Sequence, residues 1–291
     1  MIDHDNAYGG LVEARDDARW AFGTGFDDPL AGVDTTLPPG VDGGALAVYC
    51  LMLADDALVL AQRLGEWTTH APELEEEVAL ANIGLDLLGQ ARMLLTYAGE
   101  VDGTGRSEDD LAYFRDEREF VNCQLVELPN GDFALTMARM LVFAAYQYEL
   151  YDRLCSSSDE ALAAVAAKAV KEVAYHRDHA TRWVLRLGDG TAKSQQRMQA
   201  GLDTIWPYVA ELFEADELVH GLVGGGIALD PAELRDPTTD YLTTVIEQAT
   251  LTVPDTSVWH TGGRRGIHTE ALGYLLAEMQ HLARTHPGAP W

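Results

Sequence analysis

Glu172 and His176 stand four residues apart, which puts a carboxylate and an imidazole on one face of a helix. Asp55, Asp56, Asp86 and Glu149 are the acids on neighbouring helical segments. Together they pose one chemical question: whether helices carry a carboxylate-bridged dimetal centre for oxidation chemistry. Such a centre takes a Glu from each of two helices and a Glu-x-x-His from each of two others, all pointing inward. The pattern is not met. Asp86-Leu87-Leu88-Gly89-Gln90 contains no histidine, and three residues before His176 stands Val173, not a carboxylate. Hard iron or manganese sites want more carboxylate and imidazole than these positions offer. The expectation is therefore a hydrogen-bonded core network or solvated faces, with no catalytic residue and no metal ligand in this chain.

Other chemistry is thinner still. His176 and His179, three apart, are the best-spaced histidine pair, and neither has a cysteine nearby. There is no G-x-S-x-G elbow, no P-loop and no G-x-G-x-x-G following a strand. Gly224-Gly225-Gly226 reads as a hinge between helices. One basic island stands out, Gly262-Gly263-Arg264-Arg265-Gly266 followed by His268 and a helix. Glycines and arginines before a helix N-terminus could receive a phosphate, for instance on a coenzyme A handle. The alternative is a docking loop that pairs with acidic residues of a partner or of this chain.

Those residues must be positioned by helices. From Gly44, Leu46, Tyr49, Leu53, Ala57, Leu60 and Leu64 recur at helical spacing. After the interruption at Thr68–Pro72, a second helix opens on Glu73, Glu75, Glu76 and Glu77, where the helix dipole favours acids, and runs through Leu80, Ile83, Leu87 and Leu94. Ser107 and Asp110 have capping-box spacing for a short helix. Pro129-Asn130-Gly131 is a turn. Further helices are expected over about 132–155, 159–187, 193–220 (kinked at Pro207), 232–249 and 269–285. No period-two run with a hairpin turn occurs. The fold class is all-α: a four-helix bundle core with additional helices, in one domain over 44–291, preceded by a loosely held arm over 1–43. Tyr146, Tyr148, Tyr151, Trp183, Trp206, Tyr208 and Phe213 supply more aromatic surface than one bundle buries easily, which points to an interface between subunits.

The chain has 291 residues, with 20 Lys plus Arg against 47 Asp plus Glu, a formal charge of −27. Only three of its cations are lysines (Lys168, Lys171, Lys193). That field repels nucleic acid and anionic lipid, so neither is an expected partner. No apolar run approaches the roughly 18 uninterrupted residues of a spanning helix, and the first residues show no secretory pattern. Three scattered cysteines (Cys50, Cys123, Cys155) suit reduced thiols in a cytoplasm.

Several long runs then resemble a known family. They are Asp55-Asp56-Ala57-Leu58-Val59-Leu60-Ala61-Gln62-Arg63-Leu64, Glu66-Trp67, His70–Glu75 and Ala79–Arg92. Further on come Asp116-Glu117-Arg118, Pro129–Phe133, Lys171-Glu172 with Tyr175-His176, Glu211-Leu212-Phe213, Thr261–Gly266, His268-Thr269-Glu270, Leu276–Gln280 and Pro287-Gly288 to Trp291. These are similar to the structural C subunits of bacterial phenylacetyl-CoA oxygenases (phenylacetyl-CoA 1,2-epoxidases, PaaC), over roughly residues 45–291. The resemblance implies a ferritin-like fold and a structural role in aerobic phenylacetate degradation. The implied partners are a homologous di-iron catalytic subunit that epoxidises the aromatic ring, a reductase and small accessory subunits, with a homodimer as the form when alone. It implies no cofactor in this chain. In the catalytic relatives the segment aligned with Asp86–Gln90 reads Asp-Glu-Ala-Gly-His, so the resemblance puts Leu87 and Gln90 at two ligand positions and Val173 at a third, while His176 remains. Asp56, Asp86, Leu87, Gln90, Glu149, Glu172, Val173 and His176 are thus the expected degenerate metal-site positions. An independent dimetal oxidase with an atypical ligand set is the competing reading.

Overall fold

The computed structural model describes residue 30 and residues 32–289. Ten α-helices account for most of it, and no strand occurs among the described residues. Asp42 caps the first helix, α1 (Gly43–Gly65), by accepting from the amides of Gly44 and Ala45, as a short polar side chain does at an N-cap. α1 is apolar nearly all round and, apart from half-buried Val48, is buried from Leu46 through Leu60, the mark of a helix at the centre of a fold. A short turn folds α2 (Leu74–Val101) back along it. The second hairpin is α5 (Phe133–Leu154) and α6 (Glu160–Gly188), capped by Asp132 and Asp159. α2 packs on α6, closing the four-helix bundle. α7 (Ala192–Ile205) and α9 (Arg235–Gln248) lie outside α5 and α6. The Arg177 guanidinium holds α9 in place, lying 3.6 Å from the Tyr148 ring centroid and 4.5 Å from that of Tyr241.

Between the hairpins run α3 (Glu108–Tyr113), opened by the expected Ser107–Asp110 capping box, and α4 (Gln124–Glu127), one turn too short to leave a periodic signal. α8 (Glu217–Gly224) and α10 (Glu270–Thr285) complete the set. By length and composition α1 and α2 could each cross a membrane. In the fold α1 is the interior of the bundle, and its two acids are paired with arginines.

Four expectations change. The single helix over 193–220 is three pieces: α7 stops at Ile205, two 3-10 turns follow around Pro207, and α8 starts again at Glu217. Pro207 lacks the amide that would continue the ladder. α2 begins at Leu74, two residues after Pro72, because Glu73 is still extended. Gly224–Gly226 is a pinned turn, not a hinge. Ser158 donates from its amide to the Gly226 carbonyl at 2.9 Å, and from its hydroxyl to that of Gly225 at 3.0 Å. The arm expected over 1–43 lies outside the described residues up to 29. Leu30 is buried, and Val33 and Val41 pack against the core.

Candidate functional site

The residues that posed the metal question sit on two separate seams. α2 and α6 run antiparallel, and the first seam is a ladder between them. Gln90 Nε2 donates to Glu172 Oε2 at 3.0 Å, and His176 Nε2 pairs with Asp86 Oδ2 at 3.0 Å. One end is closed by Glu76 Oε2, which accepts from Trp183 Nε1 at 2.7 Å and contacts His179 Nε2 at 2.9 Å. Between the Gln90 and His176 rungs lie Leu87 and Val173, both fully buried. Periodicity brings these positions together: 86, 87 and 90 share one face of α2, as 172, 173 and 176 share one of α6.

Asp56 is elsewhere. It faces the C-terminal loop, where Arg264 donates from Nη2 to Oδ2 at 2.6 Å and from Nη1 to Oδ1 at 3.0 Å. Burial is the largest influence on its carboxyl and leaves it above the usual range despite the guanidinium. Asp55, its neighbour, takes a bidentate pair from Arg115 and the Val121 amide. Glu149 bonds to Arg153, one turn along α5. Of the eight expected degenerate positions the fold therefore gathers six and separates Asp56 and Glu149.

This arrangement does not fit a dimetal centre. At two of the expected ligand positions stand the isobutyl group of Leu87 and the isopropyl group of Val173, both fully buried. Gln90 presents its amide NH₂ to Glu172, so that carboxylate is already engaged. Among the described residues no group of three or more His, Cys, Asp or Glu side chains is placed to hold a metal. Three polar atoms of this seam stay enclosed without a partner, Gln90 Oε1, His176 Nδ1 and His179 Nδ1.

The second seam corrects the expected docking or phosphate loop, Arg264, Arg265 and His268. Arg264 points inward: besides Asp56 it bonds the carbonyls of Met52 at 2.8 Å and Val121 at 3.0 Å. Its charge is consumed within the chain, as one branch of the docking alternative allowed. The loop can press inward because Gly263 leaves room, a Cβ there falling 2.2 Å from the Asn122 carbonyl oxygen, and because Gly266 turns at φ +70°. Buried Glu211 receives the amides of Gly262, Gly263 and Gln124 at 2.6–2.7 Å. Only Arg265 of the three is exposed. It lines a slot of about 70 Å³ with Tyr49, Tyr146, Glu214 and Asp216, far below the ~300–1,000 Å³ of a small-molecule pocket.

His268 is the most constrained member. Its Nδ1 lies 2.9 Å from Glu127 Oε2 and its Nε2 lies 2.8 Å from the Phe120 carbonyl, so both ring nitrogens face acceptors and both want a proton. Burial alone would push its pKa down. The hydrogen bond and charge of Glu127 outweigh burial, Phe120 and Glu117 add to them, and the result stands above the ordinary 6.5. A raised folded pKa stabilises fully below the unfolded value and is lost as pH rises through the folded one. Stability should therefore decline as pH climbs above 6.5. His268→Gln, which keeps one donor but does not titrate, should flatten that decline in urea titrations at stepped pH.

Glu127, Glu211, Asn122 and Arg115 were invisible as site residues in the sequence. Glu127 and Glu211 have partners 51 to 142 positions away in the loop and Arg115 has one 60 away on α1, and no spacing rule reaches that far; Asn122 only supports Glu127, five residues on. Cys50 and Cys123 are buried with thiols pushed well up by burial, and all three cysteines are free.

With the geometry established, comparison with known proteins is specific. The family model described as phenylacetic acid catabolic protein matches residues 34–291. The chain is similar to the C subunit of 1,2-phenylacetyl-CoA epoxidase from Escherichia coli (strain K12), at 52% identity over 246 residues, which covers 84% of this chain and 99% of that protein.

Proposed function

The chain belongs to the phenylacetic acid catabolic protein family, and from that premise we propose that it is the non-catalytic structural subunit of a multicomponent phenylacetyl-CoA ring 1,2-epoxidase. In this reading it pairs with a homologous di-iron catalytic subunit and stabilises it, while a reductase and small accessory subunits complete the assembly in the cytoplasm. The epoxidase context rests on the relative, which is named as the C subunit of such an enzyme.

The observation that carries the non-catalytic part is the filling of the α2–α6 seam by Leu87 and Val173. A bundle that replaces metal-facing donors with close-packed aliphatics needs no metal to complete its core. What it keeps is shape: long helices whose outer faces can lie against another bundle. Coenzyme A and substrate recognition then fall to the partner. The loop cation Arg264, which a phosphate would need, is bound to Asp56.

Protein purified from iron-replete cells, alone and with the co-expressed catalytic homologue, tests this reading. The expected result is no stoichiometric iron in the isolated chain and a stable complex with the homologue. Two irons per chain, or turnover of phenylacetyl-CoA by this chain without the homologue, would establish the dimetal-oxidase reading instead.

A further inference from the structure

α2 is apolar on two faces. Leu80, Ile83, Leu87 and Leu94 turn inward and are fully buried. Leu74, Val78, Ala81, Leu85 and Leu88 turn outward, and the four large ones are 72%, 52%, 50% and 38% exposed. Their spacing is 4-3-4-3. A helix that meets only its own core needs one stripe, and a second stripe at an average of 3.5 residues is the seam of a helix packed along another helix. Scattered exposed leucines need no explanation, but an unbroken line over four turns, about 21 Å long, does.

Its surroundings sharpen the fit. Tyr175 on α6 is 51% exposed, rests against His176 and His179, and so stands beside the Asp86 stretch of the stripe. An amphipathic ring on a rigid helix is a frequent anchor of contacts between subunits. Two small residues open the surface: Ala81 within the stripe, and Gly89 beside it. A Cβ at Gly89 would meet nothing within 4 Å, so a facing helix can come close. At the N-terminal end Glu73, Glu75 and Glu77 crowd around Leu74.

From this juxtaposition we propose that the outer stripe of α2, with Tyr175, is the surface that docks an amphipathic helix of the partner bundle, in coiled-coil register, with basic residues of that helix beside Glu75 and Glu77. The proposal rests on the structural-subunit reading and deepens it by assigning the contact surface. Charge argues against a second copy as the occupant. Each copy carries −27, and self-association would add to a repulsion that a partner with basic residues along its seam relieves.

The variant Leu85→Glu/Leu88→Glu puts two charges into the seam without touching the inward face. Co-purification and titration with the catalytic homologue should show binding at least ~100-fold weaker, with the thermal midpoint of the isolated chain unchanged. Glu75→Lys/Glu77→Lys should weaken binding about tenfold and restore it as salt rises. Tyr274→Ala, exposed on α10 away from α2, should bind as wild type. If wild-type chain binds the homologue and Leu85→Glu/Leu88→Glu binds equally well, the α2 assignment is wrong while the subunit reading stands. If wild-type chain fails to bind and light scattering shows a dimer that this variant dissolves, a second copy is the occupant and both readings fall. Wild-type chain that neither binds nor dimerises likewise overturns both.

Discussion

Arg264→Ala should lower the stability of this protein by about 3–5 kcal/mol, the range for removing one member of a buried ion pair. The loss is not the energy of the pair itself. Taking away the guanidinium leaves the Asp56 carboxylate enclosed with the Cys123 amide at 2.8 Å and the Cys123 thiol as its remaining donors, and removes the arginine bonds to the Val121 carbonyl and to the Met52 carbonyl, which the α1 ladder already engages. Urea denaturation near pH 7 measures it. The deficit should shrink in acid, where Asp56 takes up a proton and no longer needs a cation. Asp56→Leu/Arg264→Met separates the two contributions. Replacing both charges with apolar groups removes the desolvation cost, but the Val121 carbonyl loses its arginine donor and the Cys123 amide its acceptor, so about 1–3 kcal/mol of the loss should persist. A full loss in the double variant would show that loop 262–268 is held by Arg264's carbonyl contacts and not by its charge.

Leu87→Glu should be comparably severe, costing about 4 kcal/mol or more. It gives up a fully buried leucine, worth roughly 2–5 kcal/mol on truncation, and places a carboxyl in the seam that already holds the carboxylates of Glu172 and Asp86. The carboxyl will resist ionising, so its folded pKa rises above the unfolded ~4.3, and the destabilisation should grow as pH increases from about 4 to 7. Leu87→Met, nearly equal in volume, should cost under ~1.5 kcal/mol. Ferrous iron added to Leu87→Glu should leave the thermal midpoint where it was. A metal that bound the folded variant would raise it by mass action, and such a rise would mean that the seam still holds enough donors for a metal.

Both predictions turn on features that the sequence showed very unequally. Val173 was legible from spacing, because a helix repeats every ~3.6 residues and a missing Glu-x-x-His is visible as a missing pattern, whereas Leu87 and Gln90 were marked as ligand positions only by the family resemblance. The Asp56–Arg264 pair was legible only as two separate curiosities, an acid in an apolar helix and a basic island 208 residues later. Nothing in local spacing joins them. Pairing with an acid of this chain was one branch of the docking alternative, and Asp56 is that acid; the phosphate reading assumed that a glycine-rich basic loop faces solvent. Close approach of Gly263 to the Asn122 carbonyl is what turned it inward. The pinned turn at Gly226 was misread for the same reason, since it depends on what the backbone meets in space, whereas the break at Pro207 is local and only its extent exceeded the expected kink.

The sequence by itself determined the all-α class, the order of the long helices and the Ser107–Asp110 capping box. All of these follow from periodicity, capping chemistry and side-chain inventory within about ten residues. Only the tertiary structure decided which acids meet which cations, that Arg264 and His268 are fastened inside, and that α2 carries a second apolar stripe open to solvent. Burial is a property of what packs against a helix, and ~3.6-residue spacing makes two apolar stripes on α2 without saying which one the protein's own core will cover.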